Sequence, residues 1–250
     1  MAMAKRRLDA LLVHRGLAPS RDKARALIMA GEVTVGGRPV LKPGSLVPEE
    51  ANIQVQAPAP FVSRGGLKLE AALTQLGLDV SGWVVLDVGA STGGFTDCLL
   101  KRGAERVYAL DVGYGQLDYR LRTDPRVVVR ERVNARYPFP LPEKVDLATL
   151  DLSFISLEKV IPSVSAHLKE GGYLLALVKP QFQAGRGEVG KGGLVKDPLV
   201  HARVLARFLH WASQQGFRLR GLVPSSVPGA SGNREFFVLL GQPDLRIERG

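Results

Sequence analysis

Cysteine is nearly absent from this 250-residue chain, which contains a single one, Cys98. One thiol excludes an internal disulfide and argues against a zinc site built from several cysteines. The four histidines do not have the short spacings typical of metal ligands; they are His14, His167, His201 and His210. We therefore predict that the protein holds no metal.

Long apolar runs are also missing. No segment reaches the ~18–20 consecutive apolar residues that a membrane-spanning helix needs. The amino terminus carries Lys5, Arg6 and Arg7, but Asp9 and a helical pattern follow instead of the apolar core of a signal peptide. We expect a cytoplasmic protein that has no membrane partner.

Acidic residues are few compared with basic ones. Lysine and arginine number 34 against 24 aspartates and glutamates, so the net charge is +10. Hydrophobic residues make up 45% of the chain, enough for a substantial core. A soluble chain with this charge balance favours a polyanionic partner, RNA or DNA.

The first part of the chain has the pattern of a small separate domain. Leucines recur at helical spacing from Leu8 until Gly16, and a second helix is expected after the N-cap residue Ser20. Residues 33–40 then predict two strands around a Gly-Gly turn. Within residues 1–45 there are nine basic and three acidic residues, a net charge of 9 − 3 = +6. This concentration of charge is typical of a module that contacts phosphates.

Three motifs in this region carry a resemblance. They are R-L-D-x-L-L, G-L-A-P-S-R-D-K-A and I-x-x-G-x-V-x-V-x-G, and together they span about residues 6–53. The pattern resembles the S4 domain, a small RNA-binding domain named after a ribosomal small-subunit protein. The resemblance implies recognition of structured RNA through its shape and backbone. The RNA-binding residues expected are Arg6, Arg7, Arg21, Lys23, Arg25 and, beyond the domain, Arg64.

The domain boundary is predicted at a proline-rich segment, A-P-A-P-F, at residues 57–61. Two prolines in four residues make a short, semi-rigid connection. We predict an α+β RNA-binding domain over 1–57, a linker over 58–61 and a larger domain over 62–250. The helix that follows V-S-R-G-G is expected to begin near Leu67, which leaves Arg64 and Lys68 close together.

The larger domain is organised around Val84–Phe95, which reads V-V-L-D-V-G-A-S-T-G-G-F. An apolar run and a glycine-rich turn indicate a buried parallel strand followed by a helix whose amino terminus faces a ligand. The turn lacks the G-x-G-x-x-G spacing of a pyrophosphate site, because Ser91 stands where a second glycine is expected. This difference favours S-adenosylmethionine, a cofactor that has no phosphates.

Strands alternate with helices through the rest of this domain. Five strands are predicted at 83–88, 106–113, 126–131, 145–151 and 171–180, a helix near 157–169, a functional loop at 183–197, and two closing strands at 217–223 and 235–240. This order predicts a Rossmann-like α/β fold with a mostly parallel sheet and a closing antiparallel hairpin. The strand ends carry Asp87, Asp111, Asp151 and Lys179, and we expect them to converge on one crevice. Asp111 suits the ribose hydroxyls of the cofactor, and Asn134 suits its adenine.

Four charged residues from separate segments suggest the chemistry. They are Lys68, Asp151, Lys179 and Glu235. A ribose 2′-hydroxyl is a poor nucleophile that needs a base to remove its proton, and a neutral lysine can do so. Carboxylates would orient the amines. On these positions alone, a buried ion-pair network without catalysis explains the same residues.

The motifs of the larger domain also carry a resemblance. D-V-G-A-S-T-G-G-F-T-D, A-L-D-V-G-Y-G-Q-L, D-L-S-F-I-S-L, V-K-P-Q-F and G-A-S-G-N-R-E-F-F strongly resemble the TlyA family, bacterial rRNA 2′-O-methyltransferases with an FtsJ-like catalytic domain, also called hemolysin A. The resemblance implies S-adenosylmethionine as cofactor and a Lys-Asp-Lys-Glu catalytic set at Lys68, Asp151, Lys179 and Glu235. Its implied cofactor residues are Asp87, Gly89, Ser91, Gly93, Gly94, Phe95, Asp111, Asn134 and Asp151.

The resemblance also implies a substrate, a cytidine ribose of ribosomal RNA within a ribosomal subunit or its precursor. The large subunit is the expected target, and small-subunit modification occurs in some members. Three alternatives have different signatures. A non-enzymatic RNA-binding or assembly factor would bind RNA but not S-adenosylmethionine. A membrane-lytic protein would lyse lipid vesicles. A dehydrogenase would bind NADH, but the turn spacing and the closing hairpin disfavour this class.

Overall fold

The computed structural model describes residues 4–29, 31–55, 59–185, 187–229 and 232–242. The chain divides into two compact units, Met1–Ala59 and Pro60–Gly250. Part of the predicted linker lies outside the described residues, and the predicted boundaries at 57 and 62 stay predictions.

The first unit is a small α+β domain. Its elements are β1 (Lys5–Arg7), α1 (Leu8–His14), α2 (Arg21–Met29), β2 (Val33–Val35), β3 (Arg38–Pro39), β4 (Leu46–Pro48) and β5 (Ile53–Val55). Strand β1 pairs with β4, and β2 lies between β3 and β5, all antiparallel. The helices pack Leu8, Leu12 and Ile28 into one buried cluster. The predicted helix pair and hairpin are confirmed, and Ser20 Oγ accepts a hydrogen bond from Lys23 N at 3.2 Å.

The second unit contains a seven-stranded sheet. Its strands are β6 (Val84–Val88), β7 (Arg106–Leu110), β8 (Val127–Arg130), β9 (Val145–Leu150), β10 (Leu168–Val178), β11 (Arg218–Pro224) and β12 (Phe236–Gly241). They lie in the order β11-β12-β10-β9-β6-β7-β8. The five strands from β10 to β8 are parallel, and β12 pairs antiparallel with both β10 and β11. The predicted fold class is confirmed.

Helices cover both faces of this sheet. They are α3 (Arg64–Leu76), α4 (Gly94–Lys101), α5 (Tyr119–Arg122), α6 (Ile161–Ser165), α7 (Pro180–Gln183) and α8 (Pro198–Gln214). Successive residues of a strand point to opposite faces, so Leu86 packs in the cluster that contains Phe208 of α8, while Val85 packs in the cluster that contains Leu73 of α3. This double burial explains why β6 is buried along its whole length and is apolar except at Asp87.

Three predicted segments differ from the structure. Helix α3 begins at Arg64, about one turn before Leu67, so Gly65 and Gly66 lie inside the helix. Gly66 is there because Phe61 packs against it, where a β-carbon would approach the ring at 2.3 Å. The segment predicted as a helix at 157–169 holds only a 3₁₀ turn at Leu157–Lys159 and the short α6. The loop predicted at 183–197 contains the end of α7 and a 3₁₀ turn at Lys191–Gly193.

Candidate active site

The carboxyl ends of three parallel strands on the two sides of β6 carry polar side chains. Asp111 follows β7, Asp151 follows β9, and Lys179 follows β10 and is the N-cap residue of α7. Since these strands are parallel, their ends lie at one edge of the sheet, where open α/β sheets bind ligands. Two adjoining clefts open at this edge, and both are lined by Gly89, Ser91 and Asp151.

The first cleft brings together the four residues predicted to be catalytic. It has a volume of about 350 Å³ and is lined by Lys68, Asp151, Lys179 and Glu235, with Gly94 and Phe95 nearby. The four side chains form two ion pairs. Lys68 Nζ lies 2.7 Å from Glu235 Oε2, and Lys179 Nζ lies 2.6 Å from Asp151 Oδ1.

The two pairs differ in burial. The side chains of Lys68 and Glu235 are 11% and 2% exposed, and Gly229 leaves room for the Glu235 carboxylate, since a β-carbon there would lie 2.3 Å from Oε1. Asp151 is 23% exposed and faces solvent in the cleft. The side chain of Lys179 is 11% exposed, like that of Lys68, so the pairs differ in their carboxylates: Glu235 is enclosed, and Asp151 is more accessible.

Lys179 has an environment suited to binding a hydroxyl group. Its Nζ donates a hydrogen bond to Ser153 Oγ at 3.1 Å and lies 5.9 Å from the centre of the Phe182 ring. Asp151 Oδ1 is buried, and its partner there is the Lys179 amine at 2.6 Å.

The second cleft, of about 550 Å³, is a candidate cofactor site. It has the size of a small-molecule pocket and is lined by Asp111 and Asn134 and by apolar residues that include Leu152 and Ile155. Asp111 Oδ2 accepts a hydrogen bond from Ser91 N at 2.8 Å, and Asp111 Oδ1 accepts one from Gly113 N at 2.7 Å. Asp111 thus fixes the turn after β6 and keeps free lone pairs.

Glycine is required at position 89. Its φ is +86°, and a β-carbon would approach the Asp151 carbonyl oxygen at 2.5 Å. Only the absence of a side chain lets the turn lie this close to the end of β9. The resulting cleft offers the carboxylates of Asp111 and Asp151, the amides of Gln116 and Asn134 and apolar walls, and Arg136 is the one basic side chain among its described lining residues. This donor set fits S-adenosylmethionine.

Two predicted cofactor residues lie elsewhere. Asp87 is fully buried and lines neither cleft; its carboxylate accepts hydrogen bonds from Thr96 Oγ1 at 2.7 Å and Thr149 Oγ1 at 2.9 Å. Asp87 thus lies beneath the turn, where burial raises the pKa of Asp87 to about 6. Its predicted contact with the cofactor stays a prediction. Gly93, with φ +97°, packs against Leu121 instead of lining a cleft.

Gly94 and Phe95 line the first cleft but not the second. They contact the first turns of α3, since a β-carbon on Gly94 would lie 2.3 Å from Ser63 Oγ and Gly65 approaches the Phe95 ring. Arg64 is exposed at the rim of the same cleft.

The remaining predicted RNA-binding residues lie in the first unit. Lys23 is exposed, and Arg6 pairs with Glu49 at 2.7 Å. Arg7, Arg21 and Arg25 all approach the carboxylate of Asp9.

One residue at the clefts was missed from the sequence. Phe154 is 89% exposed, lines the larger cleft and has a left-handed φ of +63°. Its ring centre lies 4.7 Å from that of Phe182. A strained backbone and an exposed aromatic ring next to a candidate active site indicate a functional position. The only signal in the sequence is an aromatic residue shortly after a strand end.

Comparison with known proteins gives two family matches. Residues 61–242 match the FtsJ-like methyltransferase family, and residues 6–53 match the S4 domain. Within the described part of the chain, no helix combines the length and apolar character needed to cross a membrane.

Individual proteins are similar over almost the whole chain. A protein of Bacillus subtilis named "Putative rRNA methyltransferase YqxC" is 47% identical, covering 97% of this chain and 88% of its own length. The "16S/23S rRNA (cytidine-2'-O)-methyltransferase TlyA" of Mycobacterium tuberculosis is 47% identical over 95% of this chain and 91% of its own. A solved structure of a "Putative hemolysin" from Streptococcus thermophilus is 41% identical with a TM-score of 0.74, covering 97% and 90%.

Proposed function

We propose that this chain, which belongs to the FtsJ-like methyltransferase family and to its TlyA and hemolysin A members, methylates the 2′-oxygen of a cytidine ribose in ribosomal RNA. The observation that carries the proposal is the ion pair of Lys179 and Asp151 at 2.6 Å. This pair lies where the first cleft, which holds the four charged residues, adjoins the second cleft, the candidate cofactor site.

S-adenosylmethionine is the proposed cofactor, and when bound it supplies an electrophilic methyl group. Asp111 would accept hydrogen bonds from its ribose hydroxyls, and Asn134 would contact its adenine. Gly89 would allow close approach of the backbone. Asp151 lines both clefts, which supports a role for this residue at the border between cofactor and substrate.

Lys179 is the proposed base for the ribose hydroxyl. In its neutral form, the Lys179 amine would accept the 2′-hydroxyl proton as the oxygen bonds to the methyl group and the methyl–sulfur bond of the cofactor breaks. The Asp151 carboxylate would stabilise the ammonium that forms. Ser153 Oγ, which already accepts a hydrogen bond from Lys179 Nζ, would fix the orientation of the amine. Such a base contributes about 10²–10⁴ in rate, and alignment of the hydroxyl adds to it.

Lys68 and Glu235 are proposed to fix the far wall of the same cleft. The two side chains have little contact with solvent, so Glu235 holds the charge of Lys68 at a fixed position. In this role Lys68 would orient the ribose, and Glu235 would hold Lys68. The pair therefore positions substrate while Lys179 handles the proton.

Phe154 is the proposed contact for the target base. Sequence-specific RNA recognition commonly splays a base out and stacks it on an aromatic ring. Phe154 offers an exposed ring beside the cofactor cleft, with Phe182 supporting it from behind. Arg64, at the rim, would contact a neighbouring phosphate.

Large-subunit rRNA is the proposed target, within the subunit or its precursor in the cytoplasm. The relative from Mycobacterium tuberculosis is named for both 16S and 23S rRNA, so small-subunit rRNA is the second substrate to test. An assembly factor that binds RNA without methylating it is the alternative that the following experiment distinguishes.

The experiment compares 2′-O-methyl maps of both rRNAs from cells with and without the protein. Purified wild-type protein and Lys179→Ala are then incubated with the unmodified subunits and labelled S-adenosylmethionine. We expect a missing cytidine 2′-O-methyl group that wild-type protein restores and Lys179→Ala does not, while calorimetry shows that the variant still binds the cofactor. Lys159→Ala, which removes an exposed lysine, is the matched control. Full activity in Lys179→Ala would overturn the proposed mechanism. If the wild-type protein does not bind the cofactor, the proposal that it is a methyltransferase is overturned.

A further inference from the structure

A buried carboxylate in the first unit binds three arginines. Asp9 is 0% exposed. Its Oδ2 lies 3.0 Å from Arg7 Nη2, 3.1 Å from Arg21 Nη2 and 3.5 Å from Arg25 Nε. Its Oδ1 accepts hydrogen bonds from Arg7 Nε at 3.1 Å and from Ala10 N at 2.8 Å. All the lone pairs of Asp9 are thus directed to groups of its own unit.

The three arginines come from different elements. Arg7 ends β1, and Arg21 and Arg25 lie four residues apart on α2, so they share one face of that helix. Asp9 lies in the first turn of α1, between them. The carboxylate therefore ties one strand and two helices into a single arrangement.

The arginines themselves remain accessible. Their side chains are about half exposed, at 50%, 52% and 47%. Each guanidinium has five N–H donors in a rigid fork, and only one or two of them point to Asp9. The three arginines outnumber Asp9 and Asp22, which lies 3.5 Å from Arg25, so the cluster keeps a net positive charge on half-exposed side chains.

Asp9 compensates for a repulsion that would otherwise spread these side chains. Hydrogen bonding from Arg7, assisted by Arg21, holds the pKa of Asp9 well below its usual range, so the carboxylate stays charged. Three guanidiniums in one place repel one another. Held by a shared partner, they keep one geometry before any ligand arrives, which lowers the ordering cost of binding.

We propose that Asp9 is a positioning residue that assembles Arg7, Arg21 and Arg25 into one preformed site for an RNA phosphate group. Guanidinium forks match phosphate oxygens in bidentate fashion. The inference rests on the proposed function only in taking RNA as the partner. It assigns Asp9, a negative residue, a favourable part in binding a polyanion.

The sign of one substitution tests this role. Asp9→Asn keeps the shape of the side chain and raises the net charge of the protein by one. If only overall charge mattered, RNA binding would become tighter. We expect instead that affinity for deproteinised large-subunit rRNA falls about tenfold and that the salt dependence becomes shallower, because fewer phosphates are contacted. In methylation assays the KM for RNA should rise more than kcat changes.

Asp22→Asn is the matched control. It makes the same charge change on α2, but the Asp22 side chain is 93% exposed and lies 3.5 Å from Arg25. We expect equal or tighter RNA binding by this variant. If Asp9→Asn also binds equally or more tightly, the proposal is overturned.

Conservative variants cover the case in which Asp9→Asn does not fold, as judged by its thermal unfolding. Arg21→Lys and Arg25→Lys keep the charge but lose the fork, and we expect a several-fold loss of affinity in each. Arg38→Lys changes an exposed arginine on the hairpin of the same unit and should bind as the wild type does. Equal binding by all three lysine variants would contradict a preformed site.

Failure of this inference is distinguishable from failure of the proposed function. RNA binding is measured without S-adenosylmethionine, whereas the methyltransferase proposal is tested by methyl transfer and by Lys179→Ala. A protein that binds RNA through the Asp9 site but transfers no methyl group would refute the second proposal alone.

Discussion

Lys68 and Glu235, separated by 167 positions in the sequence, form a buried ion pair with 2.7 Å between Nζ and Oε2. Lys68 lies on α3, the first helix of the second unit, and Glu235 immediately precedes β12, its last strand. The pair therefore connects the two ends of the catalytic fold across the cleft. Its burial makes it a structural feature as well as a candidate part of the site.

Removing one partner of this pair should destabilise the second unit. Lys68→Met leaves the Glu235 carboxylate buried without its counter-ion, and such changes cost about 3–5 kcal/mol. The double variant Lys68→Met/Glu235→Gln should lose less than the sum of the two single variants, because neither charge remains unpaired. Urea unfolding followed by tryptophan fluorescence measures this, since Trp83 and Trp211, the two tryptophans, both lie in the second unit.

The control for this prediction is an accessible ion pair in the same sheet. Lys169 and Asp146 lie 2.8 Å apart, with side chains 45% and 25% exposed. Exposed pairs contribute about 0–1 kcal/mol, so Lys169→Met should change stability little. If Lys68→Met costs no more than Lys169→Met, the pair does not stabilise the fold.

The glycine at the turn after β6 gives a second prediction. Gly89→Ala should weaken S-adenosylmethionine binding by more than tenfold and lower stability, because the new β-carbon would lie 2.5 Å from the Asp151 carbonyl oxygen. Gly82→Ala separates this clash from backbone strain, since Gly82 has a similar φ of +72° but open space around it. Calorimetry of both variants with the cofactor is the measurement, and equal affinities would contradict the tight approach at Gly89.

Much of the fold and part of the site could be predicted from the sequence. The repeated strand–helix order identified the parallel sheet, and parallel strands place their carboxyl ends at one edge, which grouped Asp111, Asp151 and Lys179. The partner of each lysine could not be predicted, because pairing depends on side-chain directions across distant elements. In the first unit, β1, β4 and β5 have three residues each, too few for an alternation pattern.

The two main differences at the site have one physical origin. Asp87 and Phe154 both lie near strand ends, but the direction of each side chain follows from local backbone geometry set by packing. Asp87 belongs to a strand buried on both faces and turns inward to Thr96 and Thr149. Phe154 adopts a left-handed φ that no sequence pattern indicates for phenylalanine. The position of a residue along a strand therefore predicts the edge of the sheet at which it lies but not the direction of its side chain.

The pKa of Asp87 leads to a prediction about pH. Burial raises it from 3.8 to about 6, so the folded protein holds this proton more tightly than the unfolded chain does. The contribution of Asp87 to stability is thus greatest below about pH 4, falls as the pH rises to about 6 and is constant above. Two pKa units correspond to about 3 kcal/mol.

Asp87→Asn removes this titration. The stability of the wild type minus that of the variant should fall between about pH 4 and pH 6 and then stay level, as measured by urea unfolding at several pH values. Carboxylates paired in the fold, such as Glu70 with Arg102, titrate in both proteins and cancel in the difference. A difference that does not change with pH would contradict a raised pKa for Asp87.

The exposed ring of Phe154 gives the last prediction, in which stability and activity change in opposite directions. Phe154→Gly should relieve the left-handed backbone strain and leave the second unit as stable as the wild type or about 1 kcal/mol more stable. Base stacking on an aromatic side chain contributes about 1–3 kcal/mol, so methyl transfer to rRNA should fall by about five- to a hundredfold. Phe154→Trp, which keeps an aromatic face, should retain most of the activity. Tyr119→Ala removes another exposed aromatic ring, 77% accessible, and should leave activity unchanged. If Phe154→Gly methylates rRNA at the wild-type rate, the ring does not hold the target base, and its backbone strain has another cause.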